Sequence, residues 1–446
     1  MSGIDRPWNF ETGTSLVTEF VDEFELDSLP TAVRRTLERT VIDTIGAIHA
    51  GFGIHETAVV TDYVKETFAD GNATILDGTG DQTRTEGAIF ANSIAANALD
   101  IDEGNRYGDG HPAAAIVPVA LTVAEEQDAS IEGFLEAVFV GYEVGVEAGR
   151  ARREVIGHHT GSGSWAPIGA AAAAGRLRGL DRETLAQALG FADFNAPITP
   201  VLRNVANPGC GLTKDGIGWG GYVGITAVEM ASRGLQGSGT LFDHEDVPTP
   251  DTLGDGSSFD HQYWKPYPTC RWTHAGIDAV RDLYDEHDVD PEEIQSVDCY
   301  SFEHAVQLAT RDPRNADEAE YSYPYTLAVA LLEGDVTPAD LHRDSIEDET
   351  IAAMIDRISL HLDPDLEARY DEAWMARVDV HTDEETYSSG VTYPRGSVQR
   401  PMTEEDFAEK FQQLFADHPI PDAHEQVADI VATPEAAMTD LVALWR

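Results

Sequence analysis

Four acids and a histidine crowd the stretch LDIDEGNRYGDGH over residues 99–111: Asp100, Asp102, Glu103, Asp109 and His111. Crowded carboxylates raise one another's pKa, which suits one of them to proton transfer. The Asp-x-Asp spacing followed by glycine looks like a calcium loop, but the later ligands and the closing Glu are absent. Asp102, Glu103 and Asp109 read as helix capping and general acidity. Asp100 and His111 are the stronger candidates, because each sits where the loop meets a helix end.

Three further stretches carry cations. In IGHHTGSGSWAPIGAAAAAG, residues 156–175, His158 and His159 precede a Gly/Ser/Thr run and then a helix. A helix N-terminus offers free N–H groups and a positive dipole end to an anion. An ordinary loop with surface histidines explains the same letters equally well. Lys214 lies in LTKDGIGWGG, and Lys265, Cys270, Arg271 and His274 lie in YWKPYPTCRWTH. Pro266 and Pro268 stiffen the approach to a helix whose start presents Arg271 and His274. Together these residues fit a site that binds a polycarboxylate and moves a proton alpha to a carboxylate, with cations stabilising the charge as it develops. No nucleophile elbow, zinc-protease helix, P-loop or dinucleotide fingerprint is visible.

Composition bounds the rest. The chain has 446 residues, with 80 acidic against 29 basic side chains and a net charge of −51. The acids are spread among helical apolar positions, so the core pattern survives, as on a halophile's surface screened by molar salt. Nucleic acid and anionic membranes are poor partners for it. Only four of the basic residues are lysines, Lys65, Lys214, Lys265 and Lys410. Lys65 and Lys410 sit in helical patterns and read as solvated. Lys214 and Lys265 sit among Gly, Pro and aromatics and read as functional. Cys210, Cys270 and Cys299 are far apart and form no CxxC, so a disulfide framework, a zinc ribbon and an iron–sulfur cluster are not expected. The N-terminus lacks a secretory pattern and no run approaches a membrane span, which predicts a cytoplasmic protein.

The elements that must position these residues are helical up to about residue 240. PTAVRRTLERTVIDTIGAIHAG repeats apolar residues at helical spacing and stops at a glycine, and Gly234 marks another helix end. Alanine and glycine on the helix faces imply close packing. Beyond about residue 265, IQSVDCYSF, ISLHLD and ARVDVHTD alternate with period two and predict strands of an antiparallel or mixed sheet. PMTEEDFAEKFQQLF predicts a helix capped by Thr403, with Asp406 reaching back. The fold class is therefore mainly α. A large all-helical domain spans 1–265, with 396–446 returning to it, and a smaller α+β lid domain spans 266–395.

These motifs, with KPYPTCRWTHAGIDAV and YPRGSVQRPMTEEDFAEKF, resemble the MmgE/PrpD family over nearly the whole chain. That family includes 2-methylcitrate dehydratase, cis-aconitate decarboxylase and iminodisuccinate epimerase. The resemblance implies a cofactor-free, metal-independent homodimer acting on a small di- or tricarboxylate. It places the active-site aspartate on Asp100, the His-Pro histidine on His111 and the next-loop histidine on His159, with His158 as the alternative. The lysines fall on Lys214 and Lys265, and a tyrosine falls on Tyr325. The chain departs from the family pattern twice. Gly104 stands where threonine is common, and Cys270 stands where the decarboxylases carry histidine. The second departure argues against decarboxylation, and Arg106 in the GNRYGDG segment offers an extra carboxylate clamp. The expected activity is a hydro-lyase resembling 2-methylcitrate dehydratase. An epimerase is the nearest rival, and a non-catalytic carboxylate-binding protein is a third reading.

Overall fold

Nine labelled helices build the first half of the chain in the computed structural model, which describes residues 12–157, 160–199 and 216–446. They are α1 (Gly13–Glu23), α2 (Thr31–Gly51), α3 (His55–Thr67), α4 (Thr85–Asn97), α5 (Pro112–Gln127), α6 (Ile131–Ile156), α7 (Ala166–Leu177), α8 (Arg182–Phe194) and α9 (Ile217–Ala231). α5 and α7 are buried along most of their length, and their neighbours close around them. The small residues are what permit this. A Cβ at Gly141 of α6 or at Gly169 of α7 would collide with the facing helix, so the two axes approach through bare backbone. Gly234, with φ at +91°, lies just beyond the end of α9.

The α+β segment follows as α10 (His274–Glu286), β1 (Ile294–Ser301), α11 (Tyr323–Glu333), β2 (Ile358–Leu362), β3 (Ala376–Thr382) and β4 (Thr386–Ser388). The expected strands are present. They form a mixed sheet of order β2-β1-β3-β4, in which only the β1–β2 pair is parallel. Val297 and Cys299 are buried opposite Val380 and Val378, so the inward face follows the period of two. α10 packs against β3 and α11.

The chain then returns to helix as α12 (Glu404–Leu414), α13 (Ala423–Val431) and α14 (Met438–Val442). α12 and α13 pack on α2, and α14 packs on α5. Thr403 caps α12 and Asp406 reciprocates, as the sequence predicts. No helix among the described residues is long and apolar enough to cross a membrane.

Candidate active site

The acidic loop is a bend between two helices. α4 ends at Asn97, and Asp100 adopts a left-handed conformation with φ at +47°, which a short polar residue tolerates better than most. The chain turns back and enters α5 through His111 at the N-cap and Pro112 at the first helical position. Tight contacts hold the bend closed. Gly110 has no Cβ to strike Ser162, whose hydroxyl accepts the His111 backbone N–H at 2.8 Å. Ser162 and Trp165 of the GSGSW segment thereby dock on the acidic loop.

The side chains of this bend converge. His111 Nδ1 lies 2.9 Å from the Glu103 carbonyl and 3.0 Å from Asp102 Oδ2, and its Nε2 lies 3.4 Å from Asp100 Oδ1. Lys265 Nζ stands 2.5 Å from the same Asp100 oxygen, yet no hydrogen bond of good geometry satisfies it among the described residues. Burial alone would push His111 down, but Asp102 and then Asp100 outweigh it and lift the imidazole to about 9. Burial likewise favours neutral Asp102, and the attraction of His111 overcomes it, so that carboxyl is held below its usual range. His111 is therefore an imidazolium at neutral pH, held between Asp102 and Asp100 with Lys265 alongside.

Around it lies a cavity of about 370 Å³, reached by Asp100, Arg106, Asp109, His111, Arg153, Lys265, Cys270 and Arg271 and by the rings of Tyr263, Trp272, His304, Tyr321, Tyr370 and Trp374. Ligand sites commonly have this size and this mixture of apolar walls with few charges. Asp100, Asp102 and His111 have donor atoms within 4.8 Å of one another, close enough to hold a metal ion. The Lys265 ammonium already stands where a cation would neutralise Asp100, which weighs against one.

Several expectations need correction. Asp102 and Glu103 are not surface acids; both are wholly buried, and of the two it is Glu103 that reaches a helix end. Glu103 accepts from the Ala113 N–H at the start of α5, from the Tyr142 hydroxyl and from Gln262, each at 3.1 Å, and burial lifts its carboxyl to about 7. Asp109 is on the cavity rim, 3.6 Å from Arg153. Lys410 is not solvated. It is buried, ion-paired with Asp43, and donates to the Ile101 carbonyl at 2.8 Å, while Asp43 accepts the Glu103 N–H at 3.1 Å. It braces the acidic loop from behind.

Tyr325 lies in the core and donates to the Asp340 carbonyl at 2.5 Å; Tyr321, four residues earlier and before the start of α11, reaches the cavity instead. His274 is buried behind the wall. Its Nδ1 lies 3.0 Å from an Arg271 nitrogen and its Nε2 lies 3.1 Å from the Thr269 carbonyl, so it orients Arg271 without lining the cavity. Arg271 lines the wall, but its guanidinium also serves the Arg395 carbonyl at 2.7 Å. Arg106 is at the rim and spends its donors on the carbonyls of Asp371 and Glu372, both at 3.0 Å. It latches the loop to the α+β segment rather than standing free as a clamp. His158, His159 and Lys214 lie outside the described residues.

A model of the MmgE/PrpD N-terminal domain matches residues 16–260, and one of the C-terminal domain matches residues 267–435. The chain belongs to the MmgE/PrpD family. It is also similar to cis-aconitate decarboxylase of Mus musculus, at 23% identity over 427 residues, covering 87% of this chain and 83% of that protein. Both departures from the family pattern touch this cavity. A Cβ at Gly104 would overlap the Tyr263 ring, so glycine lets that ring close over the loop. Cys270 lines the cavity as a neutral thiol, lifted by burial to about 12.

Sequence reasoning passed over the aromatic wall. Trp272 stood inside a stretch already singled out, while His304, Tyr370 and Trp374 come from connections of the α+β segment that carry no motif.

Proposed function

We propose that this protein is a cofactor-free lyase acting on a small di- or tricarboxylate, a dehydratase of the 2-methylcitrate dehydratase type. The observation that carries the reading is the unsatisfied Lys265 ammonium beside Asp100 and a His111 held in its charged form. Lys265 binds the substrate carboxylate and stabilises the charge that grows on it as the alpha proton leaves. Asp100 accepts that proton. The His111 imidazolium gives its proton to the departing hydroxyl, which leaves as water, and the electron pair of the broken C–H bond becomes the new double bond. Asp102 and the Glu103 carbonyl hold His111 in register. The family resemblance adds Lys214 for a second carboxylate and His159 as a further proton-transfer group. A cytoplasmic homodimer that needs high salt belongs to the same proposal; the family resemblance supports the dimer and the −51 charge supports the salt requirement.

A second reading has an observation of its own. Either Asp100 or His111 can serve one face of a substrate carbon, and the family resemblance offers His159 for the opposite face, as an epimerase requires. Decarboxylation is the weaker reading, because the neutral Cys270 thiol stands where the decarboxylases carry histidine. Incubation of candidate hydroxy- and amino-dicarboxylates in deuterium oxide at molar salt separates these. A conjugated unsaturated acid identifies the dehydratase. Deuterium incorporation without net product identifies the epimerase, and carbon dioxide release identifies the decarboxylase. Binding without any of these leaves a carboxylate-binding protein and ends the lyase reading.

A further inference from the structure

His304 has no part in the chemistry assigned above, although it lines the same cavity as Asp100, His111 and Lys265. β1 ends at Ser301, Phe302 is buried, and a single helical turn, Glu303–Val306, carries the imidazole. The Glu367 carboxylate accepts the Glu303 N–H at 2.7 Å and pins that turn. The ring is held by its neighbours. It stacks on Trp272 with centroids 5.2 Å apart and planes 19° from parallel, and Tyr370 meets it at 5.8 Å. An imidazole held in this way directs its two nitrogens along fixed lines in its own plane.

Nδ1 is buried without a hydrogen-bond partner among the described residues, while the ring as a whole is half-buried, which leaves Nε2 as the open nitrogen. A hydrogen on Nδ1 would be a stranded buried donor, so the neutral ring carries it on Nε2. The cavity decides what such a donor meets. Arg106, Arg153, Lys265, Arg271 and the charged His111 outnumber the carboxylates of Asp100, Asp109 and Asp371, which favours an anion. Much of that cationic capacity is engaged. Arg106 serves the Asp371 and Glu372 carbonyls at 3.0 Å, Arg271 serves the Arg395 carbonyl at 2.7 Å, and Arg153 stands 3.6 Å from Asp109. A polycarboxylate needs further donors, and the His304 ring offers one that no described residue takes.

We propose that His304 touches the substrate, its Nε2–H donating to a carboxylate oxygen of the acid held at Lys265. This rests on the carboxylate-binding reading above and adds to it a residue that lies in no motif of the sequence.

The test is calorimetric binding of malate, citrate and aspartate to the full chain in molar salt, with variants then compared on the acid that binds most tightly. His304→Phe keeps a flat ring against Trp272 and removes both nitrogens, so it should weaken that acid about tenfold or more. His304→Leu, also without a donor, serves if the phenylalanine variant fails to fold. His304→Gln restores an N–H donor and should bind the acid more tightly than the donor-free variant. Parent-like binding by the donor-free variant overturns the inference and leaves the carboxylate reading standing. So does equal weakening in the donor-free and glutamine variants, which would trace the loss to packing. Binding of none of the three acids by the parent protein overturns both readings together.

Discussion

Lys265 and Lys410 are buried alike, and they touch the same short bend from opposite sides. Lys410 meets Asp43 and the Ile101 carbonyl, so its charge is matched within the protein. Lys265 meets Asp100 at 2.5 Å without a satisfying hydrogen bond, and it does so at a cavity wall. Burial therefore does not separate a structural cation from a functional one. What separates them is the second partner and the place. The Lys410 ammonium has a carboxylate and a backbone carbonyl and braces a loop, whereas the Lys265 ammonium has the Asp100 carboxylate beside it at a cavity wall.

That contrast can be broken by experiment. The largest effect should come from Lys410→Met. Removing one partner of a buried ion pair strands the other charge, so the variant should lose about 3–5 kcal/mol of stability in denaturant unfolding at high salt. Asp43→Asn combined with Lys410→Met should recover much of it. A loss no larger than that of a surface lysine would remove Lys410 from the bracing role.

Lys265→Met should show the opposite profile. Catalytic efficiency should fall by an amount equivalent to roughly 2–5 kcal/mol, or tens- to thousands-fold, with a smaller change in unfolding than for Lys410→Met. If the two variants unfold alike and work alike, the distinction between them fails.

The pH dependence sharpens the same point at the imidazole that Lys265 faces. The folded state lifts His111 from its ordinary 6.5 to about 9. The stabilisation from its charged form is fully present below about pH 6.5 and is lost as pH rises through about 9, amounting to at most about 3 kcal/mol. Glu103, lifted from 4.5 to about 7, also loses stabilisation with rising pH, in a lower window. His111→Asn should flatten the decline between about pH 6.5 and 9 and leave the Glu103 portion in place. An unchanged profile would mean that His111 is not held charged.

Lys65→Ala marks the small end of the scale. Lys65 is partly exposed and pairs with Asp77 at 3.5 Å and with Asp81 on the surface. It should change stability by no more than about 1 kcal/mol and leave turnover intact.

The lysines also show how far the sequence could be read. Lys265 stood among prolines and aromatics, and that local oddity was a sound guide to its place in the cavity. Lys410 stood in AEKFQQ, a pattern that solvated and buried helix faces share, and its partner Asp43 is remote in sequence. The strands were legible because period-two alternation is local; Val297 and Cys299 face inward as it requires. Asp102 and Glu103 were hidden by composition, since among 80 acidic residues a buried acid is written with the same letters as a surface one. Tyr325 and Tyr321 are four residues apart on either side of the α11 N-cap, and only tertiary packing decides which of them reaches the cavity.

The central claim is that the Asp100–His111–Lys265 wall removes a proton alpha to a carboxylate. Its most direct test is deuterium incorporation into a bound dicarboxylate, followed by NMR in deuterium oxide at molar salt. The parent protein and Lys265→Met are compared at equal amounts of folded chain. The account predicts incorporation at the alpha carbon, or in the product formed from it, by the parent protein, and a rate lower by about a hundredfold or more in Lys265→Met. Incorporation at equal rates in both, or in neither, would contradict it.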